Sequence, residues 1–286
     1  FQGLGKQKTN KEIIGMRKPV LSIITVNLNN NLGLQKTLRS IQSQSYTDYE
    51  HIIIDANSTD GSLETIIKYT TETSHLSYWI SEPDKGIYDG MNKGIAHAKG
   101  EYIFFLNSGD FLFDDHVLDA IPFDETQYIC GNLRILYSNT EYEDIIPPEE
   151  VDGLFLLKSF LPHPASFIHH SLFKNQTYRT DYRIISDWIH MVDNIVLKGC
   201  SYKHINILVS NFDSTGLSSS NGAIGLTERN KWIKKNIPTR IYSSLMELDN
   251  LKNSILGSVI PVVSQKRHRT QKRMRKVILL LSKLLK

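Results

Sequence analysis

Short apolar runs alternate with helix-like segments over the first 110 residues. Four of these runs are predicted to be strands: 20–26, 52–54, 77–81 and 101–106. Three segments between them are predicted to be helices, from their apolar spacing or their capping residues: 32–42, 62–69 and 88–98. A chain that repeats strand and helix in this way predicts an α/β fold, with a mostly parallel central sheet flanked by helices.

The second half has a less regular pattern. It predicts strands at 128–137, at 165–169 and within 202–212. Helices are predicted at 186–197, about 223–235 and about 240–253. The stretch 213–222 is rich in Ser and Gly, so it predicts a mobile loop that either closes over a ligand or is an ordinary connector.

Charge is distributed unevenly along the chain. Ten Lys and Arg and no acidic residue follow Asp249, so with a net charge of +3 the first 249 residues carry −7. An acidic body argues against a protein that wraps nucleic acid. The two cysteines, Cys130 and Cys200, have no metal-ligand spacing and fit a reducing compartment. No apolar run reaches the roughly 18 residues that a membrane-spanning helix needs.

Polar side chains follow each of the four predicted strands. They include Asn27 after the first strand, Asp55 and Asn57 after the second, and Asp84 after the third. Ligands of open parallel sheets bind at the carboxyl ends of the strands, so these residues predict a binding site. Asp55 could accept a hydrogen bond from the imide N–H of a uracil ring. The alternative is that Asn and Asp only form turns here.

The segment 84–94 combines a lysine, three glycines and two aspartates at a helix start. Glycines let a backbone approach a phosphate, and a helix N-terminus favours anions. Lys85 could screen diphosphate charge, and Asp89 and Asn92 lie one helical turn apart and could face the same cleft. The alternative is a capped surface helix with a solvated lysine.

The fourth strand ends in the sequence Asn-Ser-Gly-Asp at 107–110. Oxygen ligands with open positions suit Mg²⁺ or Mn²⁺ that bridges a diphosphate, which makes Asp110 and Asn107 the candidate metal ligands. By itself, the segment is more typical of a plain turn.

Taken in order, the motifs at 22–27, 55–62, 84–86 and 107–110 resemble family 2 glycosyltransferases. The resemblance covers roughly residues 19–215 and is most similar to bacterial enzymes of capsule, exopolysaccharide and O-antigen synthesis. It implies a GT-A fold, inverting chemistry and a nucleotide-diphosphate sugar donor, with UDP favoured. It also implies that Asp55 contacts the base and that Asp84 and Lys85 lie near the nucleotide. Asn107 and Gly109 stand where Asp is frequent in the family, so Asp110 is the only carboxylate of the metal motif.

The same resemblance places the catalytic carboxylate at Asp187, after a segment like 161–167 that contains His163. Asp187 would deprotonate the acceptor hydroxyl. The alternative is an N-terminal helix cap. His163 could ligate the metal or contact the acceptor, although a structural role is more common, and Trp188 could stack on a sugar or pack in the core.

These inferences predict a domain order. Residues 1–15 would be a tag remnant, linker or disordered segment, with the native start at Met16. The GT-A catalytic domain would span 16–222, with a nucleotide-binding half at 16–110 and an acceptor half at 111–222. Helices with a basic tail would fill 223–286. A nucleotidyltransferase and a non-catalytic sugar-nucleotide-binding component of a polysaccharide assembly complex remain the alternatives.

The tail has a distinct composition. Residues 266–276 hold seven Lys and Arg, and Val277, Leu280, Leu281 and Leu284 then recur at helical spacing. This pattern is typical of a basic amphipathic helix on an anionic membrane surface, although a helix packed on its own domain or on a partner fits as well. We therefore expect a cytoplasmic protein, peripheral at the inner face of the plasma membrane, with a saccharide or lipid-linked saccharide acceptor.

Overall fold

The fold is described from a computed structural model that covers residues 18–138, 140–214 and 222–254. The predictions for residues 1–15, for most of the loop at 213–222 and for the basic tail lie outside these residues.

The described residues form one nine-stranded sheet. The strands are β1 Leu21–Asn27, β2 Tyr49–Asp55, β3 Leu76–Ser81, β4 Tyr102–Phe105, β5 Phe111–Leu112, β6 Tyr128–Leu136, β7 Tyr142–Ile145, β8 Ser166–His169 and β9 Tyr202–Asp213. Their order is β3-β2-β1-β4-β8-β6-β9-β5, and β7 pairs with β6. The first four strands are parallel, β8 is antiparallel to both of its neighbours, and β6 and β9 are parallel.

Helices connect the parallel strands. The α-helices are α1 Asn31–Gln42, α2 Ser62–Glu72, α3 Ile87–His97, α4 Gly153–Lys158, α5 Ser186–Met191, α6 Gly222–Asn236 and α7 Thr239–Lys252. Short 3₁₀ turns occur at Leu118–Ala120, His163–Ala165 and His170–Phe173, and a π-helical segment at Val192–Leu197 continues α5. The alternation predicted for the first 110 residues is confirmed. The single helix predicted at 186–197 changes from α to π after Met191.

The core follows from the continuous apolar strands. All seven residues of β1 and of β2 are buried, as expected for central strands with both faces covered. On one face, Phe104 stacks on Phe167 with ring centroids 4.6 Å apart. On the same face, Leu34 of α1 and Ile66 of α2 pack against Ile53, and α3 covers the other face. The two covered faces fix the sheet, and the polar residues are left at the strand ends.

The sequence analysis attributed the glycines of α3 to the close approach of a phosphate. The structure gives two of them a packing role instead. A Cβ on Gly94 would lie 2.5 Å from Ile24 Cγ2, and one on Gly90 would lie 2.9 Å from Val26 Cγ1. Such contacts are too short, so both glycines let α3 lie directly on β1. Gly86 differs: it precedes α3 with φ of 121° and has open space around it, as an approaching anion requires.

The chain separates into two compact units, residues 1–228 and 229–286. The sequence-based domain boundary at 222/223 stays a prediction. Within the described part of the chain, no helix has both the length and the apolarity of a membrane span. The two cysteines are free thiols, Cys130 buried and Cys200 partly buried.

Candidate active site

The exits of three neighbouring strands are in register. Asn27 of β1 pairs with Asp55 of β2, and Asp55 pairs with Ser81 of β3. Asn27 Nδ2 donates to Asp55 Oδ1 over 2.7 Å. These three residues thus lie together at one edge of the sheet, as predicted for polar strand ends, since parallel strands end on the same side of the sheet.

Asp55 lies at the centre of this edge and is completely buried. Its carboxylate accepts from Asn27, from the hydroxyl and the backbone N–H of Ser58, and from Ser81 Oγ at 2.6 Å. Four donors satisfy both oxygens, so the carboxylate holds three strand exits together. Contact between Asp55 and a base stays a prediction, and it requires one of these donors to turn away.

Asn27 has an unused acceptor beside this carboxylate. Its side chain is 1% exposed, and among the described residues its Oδ1 atom has no hydrogen-bond partner. A buried carbonyl oxygen without a donor is costly, so such an atom marks a place for a donor from outside the chain. The imide N–H of a uracil is a donor of this kind.

The loops after β1 and β2 are joined by hydrogen bonds. Asn29 N donates to Ser58 Oγ over 2.8 Å, and Thr59 N donates to Asn29 Oδ1 over 2.8 Å. Asn57 is exposed and has φ of 59°, a conformation that Asn tolerates better than most residues. The structure therefore gives Asn57 a turn-forming role, and its predicted contact with a nucleotide remains a prediction.

The exit of β3 places three charged residues before and within the first turn of α3. Asp84 Oδ1 accepts from Gly86 N over 2.9 Å, and Asp89 Oδ2 accepts from Lys85 N over 3.1 Å. Burial raises the pKa of Asp84, and the neighbouring carboxylates of Asp89 and Asp55 raise it further. The Lys85 side chain is exposed and makes no ion pair with the described residues. This loop therefore presents a free cation beside a helix N-terminus.

Asn92 does not share the cleft-facing arrangement predicted for it with Asp89. Its Nδ2 donates to Tyr178 O over 2.7 Å, and its Oδ1 accepts from Tyr178 N over 2.9 Å. This reciprocal pair ties α3 to the second half of the domain. The expectation that Asn92 faces the cleft is therefore wrong, because its observed contacts are structural.

The turn after β4 carries the two candidate metal ligands. Thr37 of α1 holds it, because the Thr37 hydroxyl bonds Asp110 O at 2.6 Å and accepts from Gly109 N at 3.0 Å. Gly109 has φ of 107°, which favours glycine. Asn107 Oδ1 is buried and has no partner among the described residues.

Asp110 is 5% exposed, and burial raises its pKa to about 8. The hydrogen bond from the Asp213 backbone N–H and the charge of Lys36 of α1 oppose this shift of the Asp110 pKa, while the carboxylate of Asp213, at the end of β9, contributes to it. Asp213 N also donates to Asp110 Oδ1 over 3.3 Å. The 107–110 motif has only one carboxylate in its sequence, and Asp213 therefore places a second one beside it.

These residues fit a divalent cation. Asp110, Asn107 and the neighbouring Asp213 are hard oxygen donors, which Mg²⁺ and Mn²⁺ prefer. The orphaned oxygen of Asn107 and the buried carboxylate of Asp110 would both be stabilised by a cation. Among the described residues no group of three or more His, Cys, Asp and Glu could hold a metal alone. Substrate phosphates and water would supply the remaining ligands, as is usual for Mg²⁺.

Asp187 lies in the first turn of α5 and is partly buried. Its Oδ1 accepts from Tyr88 OH over 2.7 Å and from Trp188 N over 2.8 Å. The cap position of this helix is Ile185, and no side chain caps it, so Asp187 is not the helix cap. Tyr88 belongs to α3, so the carboxylate lies beside the helix that starts at the Asp84–Gly86 loop.

Two further candidates have structural roles. His163 is buried, bonds Tyr178 OH through Nε2 at 2.8 Å and stacks on Phe105, and burial lowers its pKa. Trp188 is 4% exposed and donates through Nε1 to Leu156 O over 2.7 Å, so core packing is the correct alternative for it.

The sequence analysis missed three residues of this site: Tyr88, Asp213 and Glu228. Glu228 of α6 accepts from the backbone N–H groups of Arg183 at 2.8 Å and Ile184 at 3.0 Å, just before α5. Each acts on a residue far away in sequence, so no local pattern marks them.

Comparison with known proteins identifies the arrangement. Residues 22–176 match the model of glycosyl transferase family 2. An uncharacterised glycosyltransferase of Mycobacterium tuberculosis is 34% identical over 213 residues, which cover 70% of this chain and 78% of that protein.

Two solved structures show a similar fold. A mannosyltransferase from Pyrobaculum calidifontis in complex with GDP-Man and Mn²⁺ aligns with a TM-score of 0.59 at 13% identity, over 93% of this chain and 81% of that one. S. aureus TarS 1–349 in complex with UDP-GlcNAc aligns with a TM-score of 0.54 at 17% identity. That alignment covers 68% of this chain and 58% of the TarS chain, which is less than two thirds of its length. These likenesses confirm the GT-A fold.

The family match also decides between the alternatives left open by the sequence, since it excludes a nucleotidyltransferase and favours an enzyme over a binding component. The strand-end site, the fold and the family match over more than half of the chain lead to one conclusion. This chain belongs to glycosyl transferase family 2 and transfers a sugar from a nucleotide sugar.

Proposed function

We propose that this enzyme inverts the anomeric centre of its donor, with Asp187 as the general base. The observation that carries this proposal is the difference in hydrogen bonding between the two carboxylate oxygens of Asp187. Oδ1 accepts two hydrogen bonds from the protein, whereas Oδ2 has no bond to a described residue. The second oxygen is therefore available to an acceptor hydroxyl.

The reaction is a single displacement. The acceptor oxygen attacks the anomeric carbon while its proton passes to Asp187 Oδ2. The bond between that carbon and the diphosphate oxygen breaks, and its electron pair leaves with the nucleoside diphosphate. The base must be ionised at the start, because it takes the proton as the new bond forms.

The donor is proposed to be a UDP-sugar bound along the exits of β1 to β3. The unpaired Oδ1 of Asn27 supports recognition of an imide N–H, and Lys85 with the open backbone at Gly86 supports binding of the diphosphate. TarS, whose fold is similar, has been solved with UDP-GlcNAc, whereas the mannosyltransferase was solved with GDP-Man. The choice of base is thus part of the proposal.

Asp110 and Asn107, with Asp213 beside them, are the residues proposed to hold Mn²⁺ or Mg²⁺. When bound, the cation would neutralise charge on the departing diphosphate. Lys85 would add a second positive charge for the phosphates.

The donor proposal is tested by thermal unfolding in the presence of UDP-, GDP- and dTDP-sugars, with and without Mn²⁺. We expect a UDP-sugar with Mn²⁺ to raise Tm, since a ligand at a hundred times its Kd stabilises by about 2.7 kcal/mol. Lys85→Ala should reduce the shift, whereas Lys99→Ala, at the other end of α3, should leave it unchanged. A protein that no nucleotide sugar stabilises would contradict the proposed donor site.

The acceptor is proposed to be a saccharide, free or lipid-linked, in cell-surface polysaccharide synthesis at the cytoplasmic side of the membrane. The support is the basic tail, in which each cation near an anionic surface contributes about 1 kcal/mol. Replacing the seven Lys and Arg of 266–276 by Gln should abolish sedimentation with vesicles containing phosphatidylserine. Neutral phosphatidylcholine vesicles are the control. Equal binding of the wild type and the Gln variant to the anionic vesicles would refute a membrane-binding role of the tail.

A further inference from the structure

The hydroxyl of Tyr88 lies between two acceptors from the second half of the domain. It is 2.7 Å from Asp187 Oδ1 and 2.6 Å from the carbonyl oxygen of Ile184. The side chain is 5% exposed, and its ring lies 5.5 Å from that of Tyr178. Ring packing therefore fixes the apolar part of the Tyr88 side chain, and the two acceptors fix its hydroxyl.

The segment that carries these acceptors is itself fixed. Glu228 accepts hydrogen bonds from the backbone N–H groups of Arg183 and Ile184. Charge-assisted bonds of this kind are stronger than neutral ones, so the Ile184 carbonyl has a defined position. Tyr88 therefore connects a fixed turn to the carboxylate three residues further on.

From this geometry we infer that Tyr88 is the positioning residue of the proposed base. Its hydroxyl holds Oδ1 of Asp187, so that Oδ2 points to the acceptor. This inference rests on the proposed role of Asp187. Tyr88 is also in the first turn of α3, two residues after Gly86, so one helix start would serve both the donor phosphates and the base.

The described groups that are shown to interact electrostatically with Asp187 are uncharged near pH 7. Its electrostatic neighbours are Tyr88 on α3, Tyr128 on β6, His163 in a 3₁₀ turn and Tyr178. Burial raises the pKa values of the three tyrosines and lowers that of His163, so all four are neutral near pH 7. Among these four groups, Tyr88 is the one whose side chain hydrogen-bonds the Asp187 carboxylate.

The test compares Tyr88→Phe with Tyr102→Phe. Tyr102 is also buried, but its hydroxyl donates to a backbone carbonyl, that of Thr126 at 3.0 Å, and not to a carboxylate. Loss of a hydrogen bond to a charged group shifts a pKa by about one unit or more. In Tyr88→Phe we expect the acidic limb of the kcat profile to move up by about one pH unit. At pH 7 kcat should also fall about tenfold, because the base is no longer held in position, and KM for the donor should stay within about twofold. Tyr102→Phe should leave the profile in place.

The outcomes separate this inference from the proposed function. If Asp187→Asn is inactive and Tyr88→Phe folds, binds donor and keeps the original acidic limb, the positioning role is wrong and the base remains. If Asp187→Asn keeps full activity, the base itself is misassigned. Thermal unfolding with and without UDP-sugar shows whether each variant is folded, so a loss of kcat caused by misfolding is recognised.

Discussion

Replacing Asp187 by Asn is expected to lower kcat by about 10²- to 10⁴-fold, the range that a positioned general base contributes. The amide keeps the shape of the side chain, and its oxygen can still accept from Tyr88 and Trp188. It cannot accept a proton, so the acceptor hydroxyl loses its base. Donor binding should persist, because Asp187 lies on the acceptor side of the reacting carbon in the proposed mechanism. Steady-state kinetics and donor-induced thermal shifts measure the two effects separately.

Asp152→Asn is the matched control for this variant. Asp152 caps α4, a helix of six residues like α5, and its Oδ1 accepts from Phe155 N over 2.7 Å. Asn is as good a cap as Asp, so this change should leave both stability and kcat nearly unaltered. If Asp187→Asn were equally silent, the carboxylate would be a structural feature of the helix start and the mechanism would need another base.

Asp110→Asn is expected to lower kcat by roughly 10²-fold or more and to raise the Mn²⁺ concentration that gives half-maximal activity. The change removes the only carboxylate of the 107–110 turn and leaves an amide, a weaker ligand for a divalent cation. Asp213 is a neighbouring carboxylate and can sustain residual binding, so the loss should be partly recovered at high Mn²⁺. Activity is measured against Mn²⁺ concentration after dialysis with a chelator.

Asp114→Asn is the control for charge near this turn. Asp114 is exposed, and its side chain accepts from His116 N over 2.8 Å. Its replacement should leave the metal dependence unchanged. A wild-type enzyme that keeps full activity after chelation, or an Asp110→Asn variant with the same Mn²⁺ dependence as wild type, would show that the turn is not a metal site.

The parallel half of the fold could be predicted because its information is local. A buried strand is a short apolar run, its exit is the polar residue that follows, and a parallel sheet brings all exits to one edge. This rule predicts Asn27, Asp55, Asp84 and Asp110 as residues of that edge. Strand β5 could not be predicted because two residues are too few for a pattern, and β7 because three of its four residues are exposed, so it is not an apolar run.

The partners of these residues could not be predicted. Tyr88 and Asp187 are 99 residues apart, and Asp110 and Asp213 are 103 residues apart. Neither pair leaves a pattern within one element. The saturation of Asp55 and the pairing of Asn92 with Tyr178 have the same origin, because a polar side chain has the same letter whether it faces a ligand or a backbone group. Sequence thus located the edge of the sheet, and tertiary contacts decide which atoms at that edge are free.

The central claim is a direct displacement at the anomeric carbon by an acceptor that Asp187 deprotonates. It is tested most directly by the anomeric configuration of a product that cannot mutarotate, such as the methyl glycoside formed when methanol replaces the natural acceptor. We predict that NMR of this product will show the configuration opposite to that of the donor. A product with the configuration of the donor would contradict the account.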